Sequence, residues 1–135
     1  MLMSAKRLQD IIARMESYLE CWKQFNHYLS LARFKKFTLD DENQFMEIKS
    51  VITQELELIL AFMDGAQVSR EDVHNLMTAV PSMRFLSESN ESVMRNIENQ
   101  WHRLYINWQS VLGQLKVRQK QLEGQSFFGA LVGKR

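Results

Sequence analysis

Few residues in this chain have types and spacings that suit metal or acid–base chemistry. Glu71 and His74 stand three apart, the Glu-x-x-His spacing with which carboxylate-bridged di-iron bundles hold their metal. Such a site needs the motif twice, plus two further carboxylates on long helices. Here it occurs once, beside Pro81. Glu98 and His102, four apart, share one helical face and suit a surface contact better than a metal edge. Three histidines and one cysteine make neither a Cys-rich zinc set nor a disulfide framework. No Gly-rich phosphate loop and no nucleophile elbow is present. No catalytic residue, metal or cofactor is expected.

The stronger signals concern binding. Residues 125–135 read Gln-Ser-Phe-Phe-Gly-Ala-Leu-Val-Gly-Lys-Arg, an apolar tail ending in two cations. It follows Gly124, a helix-stopping residue by its tolerance of left-handed backbone. Eleven residues cannot bury their own apolar groups. Phe127, Phe128, Leu131 and Val132 therefore need an outside surface: the rest of the chain, a second subunit or a partner. Gly129 and Gly133 have the Gly-x-x-x-Gly spacing, but in a run far too short for a transmembrane pair.

Charge placement is the second signal. In an up-down-up bundle the first and last long helices end at the same pole. That pole would gather Arg33, Lys35, Lys36, Lys116, Arg118, Lys120, Lys134 and Arg135 against Asp40, Asp41, Glu42 and Glu123. A basic pole carrying an apolar tail suits an acidic partner or anionic lipid. It also suits plain complementation of helix dipoles.

The elements that must position these groups are helices. From 90 to 123 the apolar stripe is Val93, Ile97, Trp101, Leu104, Trp108, Val111, Leu115 and Leu122, one buried face on a rod of roughly 50 Å. A first helix, 4–33, starts on Ser4 and places Leu8, Ile11, Met15, Tyr18, Trp22, Phe25, Leu29 and Ala32 in a strict heptad. Ile12, Leu19, Cys21 and Tyr28 widen its face, which predicts more than one neighbour and self-association as a homodimer. Thr38 or Asp40 caps a second helix carrying Phe45, Ile48, Ile52, Leu56, Ile59 and Met63 until Asp64 and Gly65 stop it. A short third helix, 69–80, ends at Pro81. Residues 82–90 read either as a loop or as the first turns of the last helix.

With helices two and three end to end, three rods of about 45–54 Å result. The expected fold is all-α: an elongated antiparallel three-long-helix bundle, up-down-up, with one extra short helix and an apolar C-terminal tail. Residues 1–124 form the bundle domain and 125–135 the tail. This architecture is similar to that of secretion and flagellar export chaperones and of spectrin-like modules, a likeness of shape rather than of motif.

Composition narrows the function. Apolar residues are 45% and charged ones 24%, so a 135-residue chain can bury one real core. A net charge of +1 argues against nucleic acid as a partner. No apolar run approaches a membrane span, the start lacks a secretory core, and a buried reduced Cys21 suits the cytoplasm. The expected function is a non-enzymatic protein-interaction module, adaptor or export-chaperone-like, binding through a helix face or the tail. The alternative is a peripheral module that binds an anionic membrane surface through the basic pole and Phe127 and Phe128. A metal-binding ferritin-like bundle is the minor third.

Overall fold

The computed structural model describes residues 4–63 and 70–133, with side chains through 125. They form five helices: α1 (Ala5–Arg33), α2 (Leu39–Phe62), α3 (Arg70–Ala79), α4 (Met83–Ser87) and α5 (Glu91–Gly133). The described chain is all-α and has no strand.

Local chemistry sets the ends. Ser4 accepts from the Arg7 amide at 3.2 Å, Ser82 from Phe85 at 3.0 Å and Asn90 from Val93 at 2.9 Å, each satisfying an orphan donor of a first turn. Thr38 and Asp41 form a reciprocal capping box, with Asp41 in the place usually held by Glu or Gln. Residues 82–90 are neither plain loop nor part of the long helix. They hold the single-turn α4 and then the cap of α5.

Three cross-links fix the direction of α5. Arg33, at the end of α1, pairs with Glu91 at the start of α5 at 2.9 Å. Trp101 donates its indole N–H to the Trp22 carbonyl at 2.9 Å, and Lys116 lies 3.9 Å from Glu16. The helices α1 and α5 are therefore antiparallel. The up-down-up expectation, with its shared C-terminal pole, is corrected. Helix α3 is the reason: it does not extend α2 but folds back along it. Arg70 pairs with Glu57 at 2.8 Å, Lys49 donates to the Val80 carbonyl at 2.7 Å, and the Glu42 carboxylate accepts from the Met83 amide at 2.9 Å. The broken rod α3–α4 supplies a third leg, so α5 descends as a fourth.

Helix α1 lies at the centre, packed against α2, α4 and α5. Eleven of its residues are buried, among them every heptad position from Leu8 to Ala32. The wide face from which a homodimer was expected is covered within the chain. Its middle is an aromatic ladder. Tyr18 meets Trp108 and Trp22 edge-on, and Trp22, Phe25 and Phe45 follow with centroids 5.2–6.0 Å apart. Trp22, Trp108 and Leu104 are buried, as the periodicity predicts. Trp101 is only half-buried, stacked on Tyr105 at 4.8 Å. Val93 is exposed and Met94 takes its place, because the stripe steps back three residues from Ile97 rather than four.

Helix α5 also runs through Gly124 to Gly133, which corrects the expected stop. A glycine inside a helix costs only about 1 kcal/mol relative to alanine, too little alone to end a helix this long.

Trp108→Ala should remove the ring against which Tyr18 packs and cost about 3–5 kcal/mol. Urea unfolding followed by circular dichroism measures this, and a loss below about 1 kcal/mol would contradict the central packing.

Candidate interaction surfaces

The antiparallel arrangement divides the expected basic pole. Lys35 and Lys36 lie at the α1–α2 corner, while Lys116, Arg118 and Lys120 lie in the far half of α5. Arg33 is committed to Glu91 and to Glu98, the latter at 3.5 Å. Lys134 and Arg135 lie outside the described residues, as do the side chains of Phe127, Phe128, Leu131 and Val132. The backbone of residues 125–133 is helical and continues α5.

At the α5 end, charge is gathered again from a different source. The cross-links put Ala5 level with a point between about residues 118 and 127 of α5, so roughly one and a half to four turns of α5 continue past α1. Lys6 and Arg7 at the start of α1 thus join Lys116, Arg118 and Lys120 against Asp10, Glu16 and Glu123. The sequence reading missed Lys6 and Arg7, since only the direction of α5 brings them there.

At the opposite end, helix α1 closes in a full Schellman motif. The Lys36 amide donates to the Leu31 carbonyl at 2.9 Å, and the Lys35 amide to Ala32 at 3.1 Å. The motif places Lys35 at φ 55°, left-handed backbone usually given to glycine. Phe37 anchors the corner against the core, and the capping box holds its far side. Phe34 and Leu39 project from it, 65% and 78% exposed. The heptad reading passed over both. They lie off the stripe, and exposure is not a property of sequence spacing.

Between α1 and α2 runs an open groove of about 620 Å³ reaching Tyr18, Cys21, Arg14 and Glu55. The Arg14 guanidinium spans it to Glu55 at 2.8 Å. Cys21 is half-buried, not fully buried as expected, and burial followed by the charges of Glu55 and Glu20 raises its pKa. A thiol held neutral is a poor nucleophile. Burial likewise raises the Tyr18 hydroxyl far above the ordinary tyrosine range. The hydroxyl donates to the Ile52 carbonyl at 3.3 Å. Glu71, His74 and His102 are exposed. Among the described residues no cluster of His, Cys, Asp and Glu could hold a metal, and no helix is long and apolar enough to cross a membrane.

Comparison with family models, with curated proteins and with solved structures finds no match to this chain.

Two outcomes follow from these sites. Lys35→Gly should stabilise the fold by about 0.5–1 kcal/mol, since glycine relieves the left-handed backbone at some cost in unfolded-chain entropy. Thermal melts of the two proteins provide the comparison. Because the folded state keeps Tyr18 neutral, its contribution is intact below the unfolded-chain pKa of about 10 and is lost as pH rises beyond it. Tyr18→Phe should flatten that alkaline loss in urea midpoints taken at neutral and at alkaline pH.

Proposed function

We propose that this chain is a non-enzymatic helical interaction module, of adaptor or chaperone-like kind, that engages another protein through the C-terminal end of α5. One observation carries the reading: α5 is 43 residues long, α1 is 29, and the surplus continues past the start of α1. Among the described residues, no other helix continues beside that surplus. The sequence there spaces Phe127, Phe128, Leu131 and Val132 at i, i+1, i+4 and i+5, one apolar side of a helix, and such a face requires cover. Four large apolar side chains, each contributing about 1.5–3 kcal/mol when buried, suffice for micromolar docking after the ordering cost. Less has to be spent on ordering if the segment is already helical.

A second copy of the chain is one partner of suitable chemistry. A reducing cytoplasmic setting suits the single free thiol.

The test is a chain truncated after Glu123, compared with the full chain in sedimentation and in capture of partner proteins. The truncated chain should keep its helicity and melting cooperativity while self-association or capture falls at least tenfold, roughly 1.4 kcal/mol. Unfolding on truncation would make the segment a structural cap, and unchanged association would make it dispensable; either result overturns the reading.

A further inference from the structure

A second groove, of about 350 Å³, lies between α3 and the first half of α5. We propose that it takes an extended segment of a partner polypeptide and holds it by its main chain. Asn75 of α3 and Asn96, Gln100 and Asn107 of α5 line it, together with Asp72 and Arg103.

What the lining offers is unpaired hydrogen-bonding capacity. None of the four carboxamides bonds to another of the described residues, although Gln100 and Asn107 are half-buried. Polar groups withdrawn from water are ordinarily paired within the fold. Each carboxamide presents an N–H donor and a C=O acceptor side by side, the complement of a peptide unit. Main-chain bonds of this kind are what give affinity when a protein captures an extended segment.

The spacing suits such a segment. Asn96, Gln100, Arg103 and Asn107 follow one another in steps of four, three and four, so they share one face of α5. From Asn96 to Asn107 the helix rises about 16.5 Å, the length of about five residues of extended chain. A four-residue step rises about 6 Å, close to the roughly 6.6 Å after which an extended chain presents the same edge again.

Charge and composition separate this occupant from the others. Among the described residues, Arg103 is the one cation of the lining and Asp72 the one acid, so the groove carries no net charge. Single-stranded nucleic acid is held by a positive groove with aromatic platforms, and no aromatic ring lines this one. A sugar lacks the same platform for its C–H face. Leu104 is the one apolar residue of the lining, too little for an amphipathic helix, which keeps its main chain paired within itself. A chain with free main-chain groups fits what remains. Asn107 lies about 25 Å along α5 from Gly124, so this surface is separate from the α5 end.

The experiment uses α-lactalbumin, reduced and carboxymethylated so that its chain is extended, immobilised for interferometry with the full chain in solution. The disulfide-intact, folded form is the control. Gln100→Met and Asn107→Leu keep side-chain bulk while removing the amide groups, and Gln109→Met does the same at an exposed site outside the groove. Circular dichroism confirms that each variant folds. The full chain should bind the extended form and not the folded one, with less than about threefold change between low and high salt. Gln100→Met and Asn107→Leu should each weaken binding about tenfold. Gln109→Met and the chain truncated after Glu123 should bind within about twofold of the full chain. Absence of binding to the extended form overturns the proposal, as does equal binding to the folded form or a steep fall with salt. Binding that survives both groove variants overturns it, and so does groove-dependent binding of maltohexaose or oligothymidylate in place of the extended chain. Binding lost only on truncation belongs to the α5 end and overturns the groove alone.

Discussion

The structure depends on covering α1. Its buried residues between Leu8 and Ala32 cover somewhat more than half of the helix circumference, a face wider than one neighbouring helix can close. Helices α2 and α5 cover the two flanks and α4 covers the end nearest Arg33. The aromatic ladder carries the same requirement inward. Tyr18 and Trp22 of α1 share one packed centre with Trp108 of α5, and Phe25 packs on Phe45 of α2. The indole N–H groups of Trp22 and Trp108 find no acceptor there, a cost of about 1–3 kcal/mol each that burial of the large rings offsets.

Once α1 is central, the route of the chain follows from where reversals occur. The polar links across helices act at the reversal points. Lys49 and Glu42 of α2 hold the bend between α3 and α4 by carbonyl and amide, and burial lowers the Lys49 pKa as its amine leaves water for that task. Without α3 lying beside α2, helix α5 would ascend instead of descend. This short ten-residue helix thus decides which charges meet. It separates Lys35 and Lys36 from Lys116, Arg118 and Lys120, and brings Lys6 and Arg7 to the α5 end.

The result is a rod with two chemically different ends and a core sealed between them. One end is a rigid corner with two projecting apolar side chains and two lysines that have no ion-pair partner among the described residues. The other is the continuation of a helix longer than anything beside it. The groove between α1 and α2 has a titratable floor, but burial keeps its thiol and phenol protonated and an ion pair spans it.

The sequence by itself determined the helices, their buried faces and most of their caps, because these rest on interactions within four residues. The heptads of α1 and the Trp108 stripe follow from spacing alone, whereas spacing left both Thr38 and Asp40 open as the cap of α2. It could not determine the direction of α5. An apolar stripe packs equally well against an ascending or a descending neighbour, so periodicity holds no information about whether residues 64–69 extend a rod or reverse it. Gly124 was misread for a related reason: a glycine ends a helix only where the chain has another contact to turn toward. Phe34 and Leu39 were not legible at all, since their exposure is part of what remains once the core residues have found their neighbours. That remainder is a property of the tertiary structure only.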